Sequence, residues 1–482
     1  MHLPSLAVQA PLASYLRSAC PALFWTFSAA TLVLNAAEPG TGTPTAAAPA
    51  KKAEVDWVTG YGSLTSDKTR AVGVDKAGNV FIAGESTGEA SFGSLSAPAL
   101  GGMDSFIAKL SISGEPLWVR SFGGSKIDRA YGVVADSHGN VYVTGHFQST
   151  DVQRDGKELP NRGDYDIFLI KYDAAGNELW LRTAGGAGYD YGHGVALDPN
   201  EDVVITGAIQ GEADFGTKRL NEGGTARAIF AAKYSSEGTL KWATASTGVG
   251  GSGHGLGIDA KGDIYIGGNC TGIGAYGSVK LEALEGGAGL VLKLNPSGEA
   301  ERATLFPGVG TAVHEICADD TGRVWVAGMF KQRVQIGQTA LTSSGPANSD
   351  GFCAALDPSG AVQWAHGLHG EGVDYCLGVC TDGTGRAFFT GEFSKEALFA
   401  GETLNSAGAT DIFVSAFSPT GALQWTEVWG GEKGDNAYTM AWHYSGFLVI
   451  GGACTGPSKF GDKIMSRPNG AEAYAAKLRV RK

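Results

Sequence analysis

Residues 128–180 read DRAYGVVADSHGNVYVTGHFQSTDVQRDGKELPNRGDYDIFLIKYDAAGNELW. Four pieces of this stretch have the composition of strands: YGVVA at 131–135, VYVTG at 141–145, DIFLIKY at 166–172 and LWLRT at 179–183. Each is short, rich in β-branched or aromatic residues, and bounded by Gly, Asn, Asp or Ser, the signature of antiparallel strands joined by tight hairpins. The first hairpin turns through Asp136-Ser137-His138-Gly139-Asn140, where Asp accepts bonds from backbone N–H groups and Gly takes a positive φ. The last strand is entered through Gly176-Asn177-Glu178-Leu179-Trp180.

The same unit recurs along the chain. Trp57, Trp118, Trp180, Trp242, Trp364 and Trp425 are separated by 61, 62, 62, 122 and 61 residues, with Arg302 or Ala303 at the one position that lacks the indole. A period of this size calls for a repeat architecture before any other reading. The four pieces reappear in the first copy as Arg70–Val74, Val80–Ala83, Ser105–Leu110 and Pro116–Ser121. The turn aspartates reappear as Asp75, Asp259 and Asp382, so they are read as turn formers and not as a catalytic series. Four such strands cannot bury both faces of their own sheet, but sheets stacked radially around an axis cover one another. The expected fold is therefore all-β, a seven-bladed β-propeller of four-stranded antiparallel blades. The piece Val55–Gly60 is a fourth strand without a copy of its own, and the last copy, ending at Leu478–Lys482, lacks one. Pairing the N-terminal strand into the last blade would close the ring.

Across residues 56–482 the pattern resembles the bacterial β-propeller repeat called SBBP. Asp128, Gly132, Asp136, Gly139, Asn140, Gly145, Asp166, Phe168, Lys171, Gly176 and Trp180 carry it in the second copy, and the pattern includes a Phe-Gly element between the second and third strands in other copies. The resemblance implies an exported or surface-associated bacterial propeller and brings no catalytic residues with it. A weaker likeness links Asp173, Gly176 and Trp180 to quinoprotein-type propellers, one residue shorter between Asp and Gly. The Asp-box of sialidases differs in its Gly-to-Trp spacing. Neither carries an enzymatic reading.

Outside the repeat, residues 1–37 read as an export signal. Arg17 precedes a 13-residue apolar run, Ala22–Leu34, followed by Ala36 and Ala37, too short for a comfortable span and ending in small residues. Residues 38–53 form a linker rich in Ala, Pro and Thr, and residues 54–482 are the propeller. The 74 glycines belong to turns and close-packing positions. A net charge of −12, without a Lys/Arg run, argues against nucleic-acid binding. The mature chain is expected to lack a membrane span, to be secreted, periplasmic or at the cell surface, and to be a monomer. Of six cysteines in the propeller, Cys270 and Cys454 share one repeat position, and Cys317 and Cys380 another. Most are expected as small buried residues, with a disulfide among Cys353, Cys376 and Cys380 left open.

Aligning the copies from Asp67, Asp128, Asp190, Gly251, Thr311, Asp374 and Asp435 gives ring positions. Five residues on, Val72, Val133, Val195, Leu256, Ile316, Val379 and Met440 are apolar and expected between blades. Gly132, Gly194, Gly255, Gly257 and Cys317 beside them are small, as close approach of neighbouring sheets requires. Three residues on stand Arg70, Tyr131, His193, His254, His314, Leu377 and Tyr438. Polar, aromatic and basic groups here mark the channel mouth as the candidate ligand site. No cofactor is predicted; His193, His254 and His314, with Glu315, are the residues that could hold a divalent metal, set against the reading of a polar, water-filled channel lined by histidines. His366 and His369 are placed in a loop near the same sector. Two function classes follow: a binding or scaffold module for a glycan, peptide or protein partner, or a hydrolase or lyase using the histidine sector. The absence of a nucleophile elbow, HExxH, phosphate loop or EF-hand loop leans toward binding.

Overall fold

The computed structural model describes residues 52–481 apart from 64, 155, 346, 347 and 466–470. The proposed export signal and all but the end of the linker lie outside the described residues. The described chain forms strands and turns without a helix, and hence no helix long and apolar enough to cross a membrane.

Four-stranded antiparallel sheets follow one another in chain order. Sheet 1 comprises Lys68–Val74, Val80–Ser86, Asp104–Leu110 and Pro116–Phe122. Sheet 2 comprises Asp128–Ala135, Val141–Phe147, Asp166–Tyr172 and Glu178–Gly186. Sheets 3 to 6 repeat the plan, their first strands being Tyr191–Leu197, Gly250–Ile258, Ala312–Ala318 and Tyr375–Thr381. Sheet 7 takes Asp435–His443, Phe447–Cys454 and Glu472–Val480 from the end of the chain and Ala53–Tyr61 from its beginning. That last pairing is antiparallel from Ala53 opposite Val480 to Tyr61 opposite Ala473, with one bulge at Asp56. Each first strand packs against the first strand of the next sheet, and Asp435–His443 packs against Lys68–Val74.

The second and third strands are buried along nearly their whole length, as in Val141–Phe147 and Asp166–Tyr172, whereas the fourth is only half-buried over most of its length. Sheets on both sides account for the first pattern and a solvated outer face for the second. The periodic tryptophans hold one sheet to the next. The indole N–H of Trp118 donates to Ala174 O at 3.1 Å, that of Trp180 to Ser236 O at 3.0 Å, and that of Trp57 to Ile112 O at 3.0 Å. Each ring lies flat on the turn glycine of the following sheet; a Cβ on Gly176 would stand 2.7 Å from the Trp118 ring. Two residues on, Arg120 and Arg182 donate to the carbonyls of Gly176 and Gly238, both at 2.7 Å. His366 does the same to Gly421 O at 2.7 Å. It therefore belongs to strand Val362–Gly370, as does His369, and not to a loop beside the histidine sector.

The Phe-Gly element proves to be the turn of an additional small hairpin. Residues 213–220 and 396–405 each reach back to pair with the outer strand of the preceding sheet. Phe92, Phe215, Phe399 and Phe460 are buried beneath such hairpins. All six cysteines of the propeller are free thiols, five of them buried, so no disulfide forms among Cys353, Cys376 and Cys380.

Candidate functional site

Each first strand carries a β-bulge, and the extra residue is in every sheet the one at the third ring position. The ladder skips Arg70, Tyr131, His193, His314, Leu377 and Tyr438, and in sheet 4 it skips His254 together with Gly255. A bulge frees one residue from pairing and re-aims its side chain. Here all seven are turned toward one central cavity of about 750 Å³, lined by the first strands of all seven sheets. The small residue that follows lets the next sheet approach. A Cβ on Gly132 would lie 2.6 Å from His193 O, and one on Gly194 would lie 2.7 Å from His254 O. Of the apolar ring, Val72, Val133, Leu256, Ile316, Val379 and Met440 are buried and Val195 is half-buried.

The bulged residues stack on one another around the cavity. The Arg70 guanidinium lies between two rings, 4.9 Å from the centroid of Tyr438 and 5.4 Å from that of Tyr131. Tyr131 then meets His193 at 4.4 Å, His193 meets His254 at 5.3 Å, and His254 meets His314 at 5.4 Å. A branch leads outward: Tyr131 to His146 at 5.3 Å, His146 to Tyr165 at 4.9 Å, and Tyr165 to the exposed Tyr189 at 5.4 Å. Arg227 lies over Tyr191 beside it. A continuous run of rings thus leads from the surface into the cavity.

Charge is concentrated on one side. Glu85, 2% exposed, accepts from Arg70 at 2.8 Å and pairs with Arg129 at 3.2 Å. Asn436 donates to Glu392, and the Tyr438 hydroxyl to Asn436 at 3.3 Å. Burial pushes Glu392 up to about 7 against the pull of Lys68, and burial pushes Glu315 up to about 7 as well. The histidines move the other way. Burial holds His193 and His146 down to about 3 and His314 to about 4, and drives His254 well below its usual value. The rings of His193, His254 and His314 line the cavity while His146 packs among Tyr131, Tyr165 and Tyr191, and for all four burial favours the neutral imidazole. His146 Nδ1, His254 Nδ1, His314 Nε2 and Arg70 Nε are buried polar atoms without a protein partner.

The expected ligand residues Arg70, Tyr131, His193, His254, His314 and Tyr438 therefore do come together. The metal set does not converge: among the described residues no three of His193, His254, His314 and Glu315 bring ligand atoms within 4.8 Å of one another, and the imidazoles stack with centroids 5.3 and 5.4 Å apart. Among the described residues, the one group of His, Cys, Asp or Glu atoms close enough to share an ion is Asp136, His138 and Glu201, on the turns of sheets 2 and 3. There Asp136 already accepts from the backbone of His138 and Asn140, with Lys171 Nζ 3.6 Å away. Glu85, His146 and Glu392 went unread in the sequence. All three directly follow the glycine of the second strand (Gly84, Gly145, Gly391), so the same alignment that exposed the first ring could have exposed this second layer.

The family model for the SBBP β-propeller repeat matches residues 56–93 and 117–146. An uncharacterized WD repeat-containing protein of Acanthamoeba polyphaga mimivirus is 23% identical over 428 residues, covering 71% of this chain and 30% of that protein. The regulatory protein FlaEY of Caulobacter vibrioides is 24% identical over 292 residues, covering 56% of this chain and 30% of its own length. The chain thus spans about 30% of the length of these curated relatives. Among solved structures, the Neurospora crassa Pan2 WD40 domain aligns with a TM-score of 0.39 at 8% identity, over 73% of this chain and 89% of that one. A Dyadobacter fermentans protein of unknown function aligns with a TM-score of 0.40 at 10% identity, over 89% of this chain and all of that one. The chain thus carries SBBP-type β-propeller repeat sequence at residues 56–93 and 117–146.

Proposed function

We propose that this protein is an exported, monomeric binding module, a closed ring of seven blades that receives the end of an acidic glycan at the mouth of its central cavity. The observation that carries the reading is the run of rings from exposed Tyr189 through Tyr165, His146 and Tyr131 to the histidine stack. Aromatic faces bury the apolar faces of sugar rings while leaving hydroxyls at the edges for polar partners. Such partners stand beside this run: Arg129, Glu85, Asn436, and imidazole nitrogens without a protein partner. The chain carries a net charge of −12, yet Arg70, Arg129, Arg227 and Lys68 gather here beside Glu85 and beside Glu315 and Glu392, whose carboxyls burial pushes up to about 7. That local excess of positive charge favours a sugar bearing a carboxylate.

Calorimetric titration with tetragalacturonate and with cellotetraose tests the reading. Binding of the acidic tetrasaccharide, lost in Tyr165→Ala/Tyr189→Ala and weakened in Arg129→Ala, is the expected result. Binding of neither sugar would overturn it. A second reading, hydrolase or lyase, draws on Glu392 and Glu315 near 7, where a carboxyl can both give and take a proton. Release of shorter products from the bound tetrasaccharide, abolished by Glu392→Gln with binding retained, would favour it.

A further inference from the structure

Where one sheet hands over to the next, the backbone of the third strand bridges to the segment entering the next first strand. Asp128 N–H donates to Met103 O at 2.7 Å, Asp190 N–H to Tyr165 O at 2.9 Å, Asp374 N–H to Ser349 O at 2.9 Å, and Asp435 N–H to Thr410 O at 2.9 Å. This contact sets two aspartates together at each of four junctions: Asp104 with Asp128, Asp166 with Asp190, Asp350 with Asp374, and Asp411 with Asp435. All eight side chains are essentially withdrawn from solvent. The oxygens of a pair converge on a glycine: a Cβ on Gly123 would run into both Asp104 Oδ1 and Asp128 Oδ2, one on Gly185 into Asp166 Oδ1 and Asp190 Oδ2, and one on Gly430 into Asp411 Oδ1 and Asp435 Oδ2.

Three further observations bear on how two buried carboxyls tolerate each other. First, the second aspartate of each pair is a backbone acceptor. Asp128 takes the N–H groups of Gly124, Gln148 and Ser149 and the Ser149 hydroxyl, and Asp190 takes those of Gly186 and Gln210. Second, the first aspartate uses one oxygen and leaves the other without a partner. Asp104 Oδ2 accepts from Leu100 and Gly101, while Oδ1 of Asp104, Asp166, Asp350 and Asp411 is buried and unpartnered. Third, the pair is present or absent as a unit. Ala228 with Gly251 and Ala288 with Thr311 occupy the corresponding positions at two junctions, and Glu472 with Asp67 at the seventh, where Asp67 N–H donates to Ala471 O at 3.0 Å.

A carboxylate oxygen that accepts nothing and faces another carboxylate is strongly disfavoured in a low-dielectric site, whereas a protonated oxygen in that position becomes a donor with an acceptor before it. We propose that at each of these four junctions the two carboxyls share one proton in mildly acidic solution, through the otherwise unpartnered oxygen of the first aspartate, so that deprotonation loosens the contact between sheets. Burial raises all eight groups, Asp190 and Asp350 to about 6 and Asp374 to about 7. The charged surroundings differ between junctions. Asp151 acts on Asp104, and Arg162 lies 3.1 Å from Asp166 Oδ2. Glu392 is coupled to Asp374, and Cys454 and Ser458 adjoin Asp435. The Asp350/Asp374 pair is the one in which both carboxyls are raised furthest, and it should hold its proton most tightly.

The sign follows from linkage. A carboxyl raised in the folded state stabilises below its unfolded value near 4, and that contribution is lost as pH rises through its folded value of about 6 to 7. The experiment is urea unfolding of the full chain and of Asp350→Asn from pH 5 to pH 8, with Asn as a neutral donor in the place of the protonated acid. The expected result is that the variant gains at least tenfold in folding constant over the wild type between pH 5 and pH 8, one raised unit being tenfold. A pH-independent difference between the two would overturn the proposal. So would stabilisation of the wild type at pH 8 by millimolar Ca²⁺ that the variant lacks, since a cation would then be what joins the pair. Should Asp350→Asn fail to fold, the double variant Asp350→Ala/Asp374→Thr installs the pair the chain itself uses at Ala288 and Thr311. It must show the same loss of pH dependence.

Discussion

The contact that joins successive sheets can be tested by adding one methyl group at two equivalent glycines. Gly176 and Gly360 occupy the same turn of the repeat with φ of +83° and +87°. Alanine at either site meets the same backbone penalty of about 1–2 kcal/mol for the left-handed region. The neighbours differ. Over Gly176 lies the Trp118 ring, its nearest atoms 2.7, 2.9 and 3.0 Å from the new Cβ. That ring is pinned by its bond to Ala174 O and packed near Phe81 and Tyr172, so it cannot retreat. Over Gly360 lies Arg302, at the position the indole vacates, with Nε 2.7 Å from the new Cβ and a flexible stem behind it, and Thr304 Oγ1 at 3.0 Å, tighter than an ordinary contact but without the clash of a fixed ring. Overpacking a fixed ring adds about 1–3 kcal/mol; moving an arginine adds little. Gly176→Ala should therefore lose about 2–5 kcal/mol and Gly360→Ala about 1–2 kcal/mol. Denaturant unfolding followed by tryptophan fluorescence measures both. In a Trp118→Arg background the Gly176→Ala penalty should shrink to that of Gly360→Ala. Equal losses at the two glycines in the wild-type background would refute the idea that the indole on glycine is what seats one sheet on the next.

Three other outcomes follow from the same geometry. Deleting residues 54–62 removes the partner of Glu472–Val480 and exposes the buried Val55 and Tyr61 contacts, so thermal unfolding should move sharply down; an unchanged transition would argue against closure through this strand. Gly132→Ala drives a Cβ to 2.6 Å from His193 O and should both destabilise the protein and displace the imidazole, read as an altered tyrosine environment in near-ultraviolet circular dichroism. The buried histidines set an acid limit: with folded values of about 3 to 4 against an unfolded 6.5, each contributes stability above pH 6.5 that is lost as pH falls through that window, up to about 1.4 kcal/mol per unit for the 7%-exposed His146. His146→Gln should flatten the urea midpoint between pH 6.5 and 4, whereas a slope identical to that of the wild type would remove His146 from this account.

Much of the molecule is legible in one dimension because a repeat aligns itself. The period of the tryptophans, the Asp and Gly of the turns and the alternation of short apolar runs follow from local chemistry: a turn that needs positive φ takes glycine wherever it recurs. The same alignment exposes Arg70, Tyr131, His193, His254, His314 and Tyr438 as one ring, since equivalent residues of equivalent strands face the same way. What those residues do to one another is a tertiary matter. The bulge that releases each from its ladder leaves no mark in residue type. It decides that the three imidazoles stack at 5.3–5.4 Å instead of converging on an ion. His366 illustrates the converse: a histidine that invites a site reading is an inter-sheet hydrogen-bond donor, equivalent to Arg120 and Arg182. The reach of the Phe-Gly hairpins across to a neighbouring sheet, and the meeting of Asp350 with Asp374 across 24 residues of chain, depend on how whole sheets pack. Sequence separation sets neither distance, because both groups come from different strands brought together only when the sheets assemble.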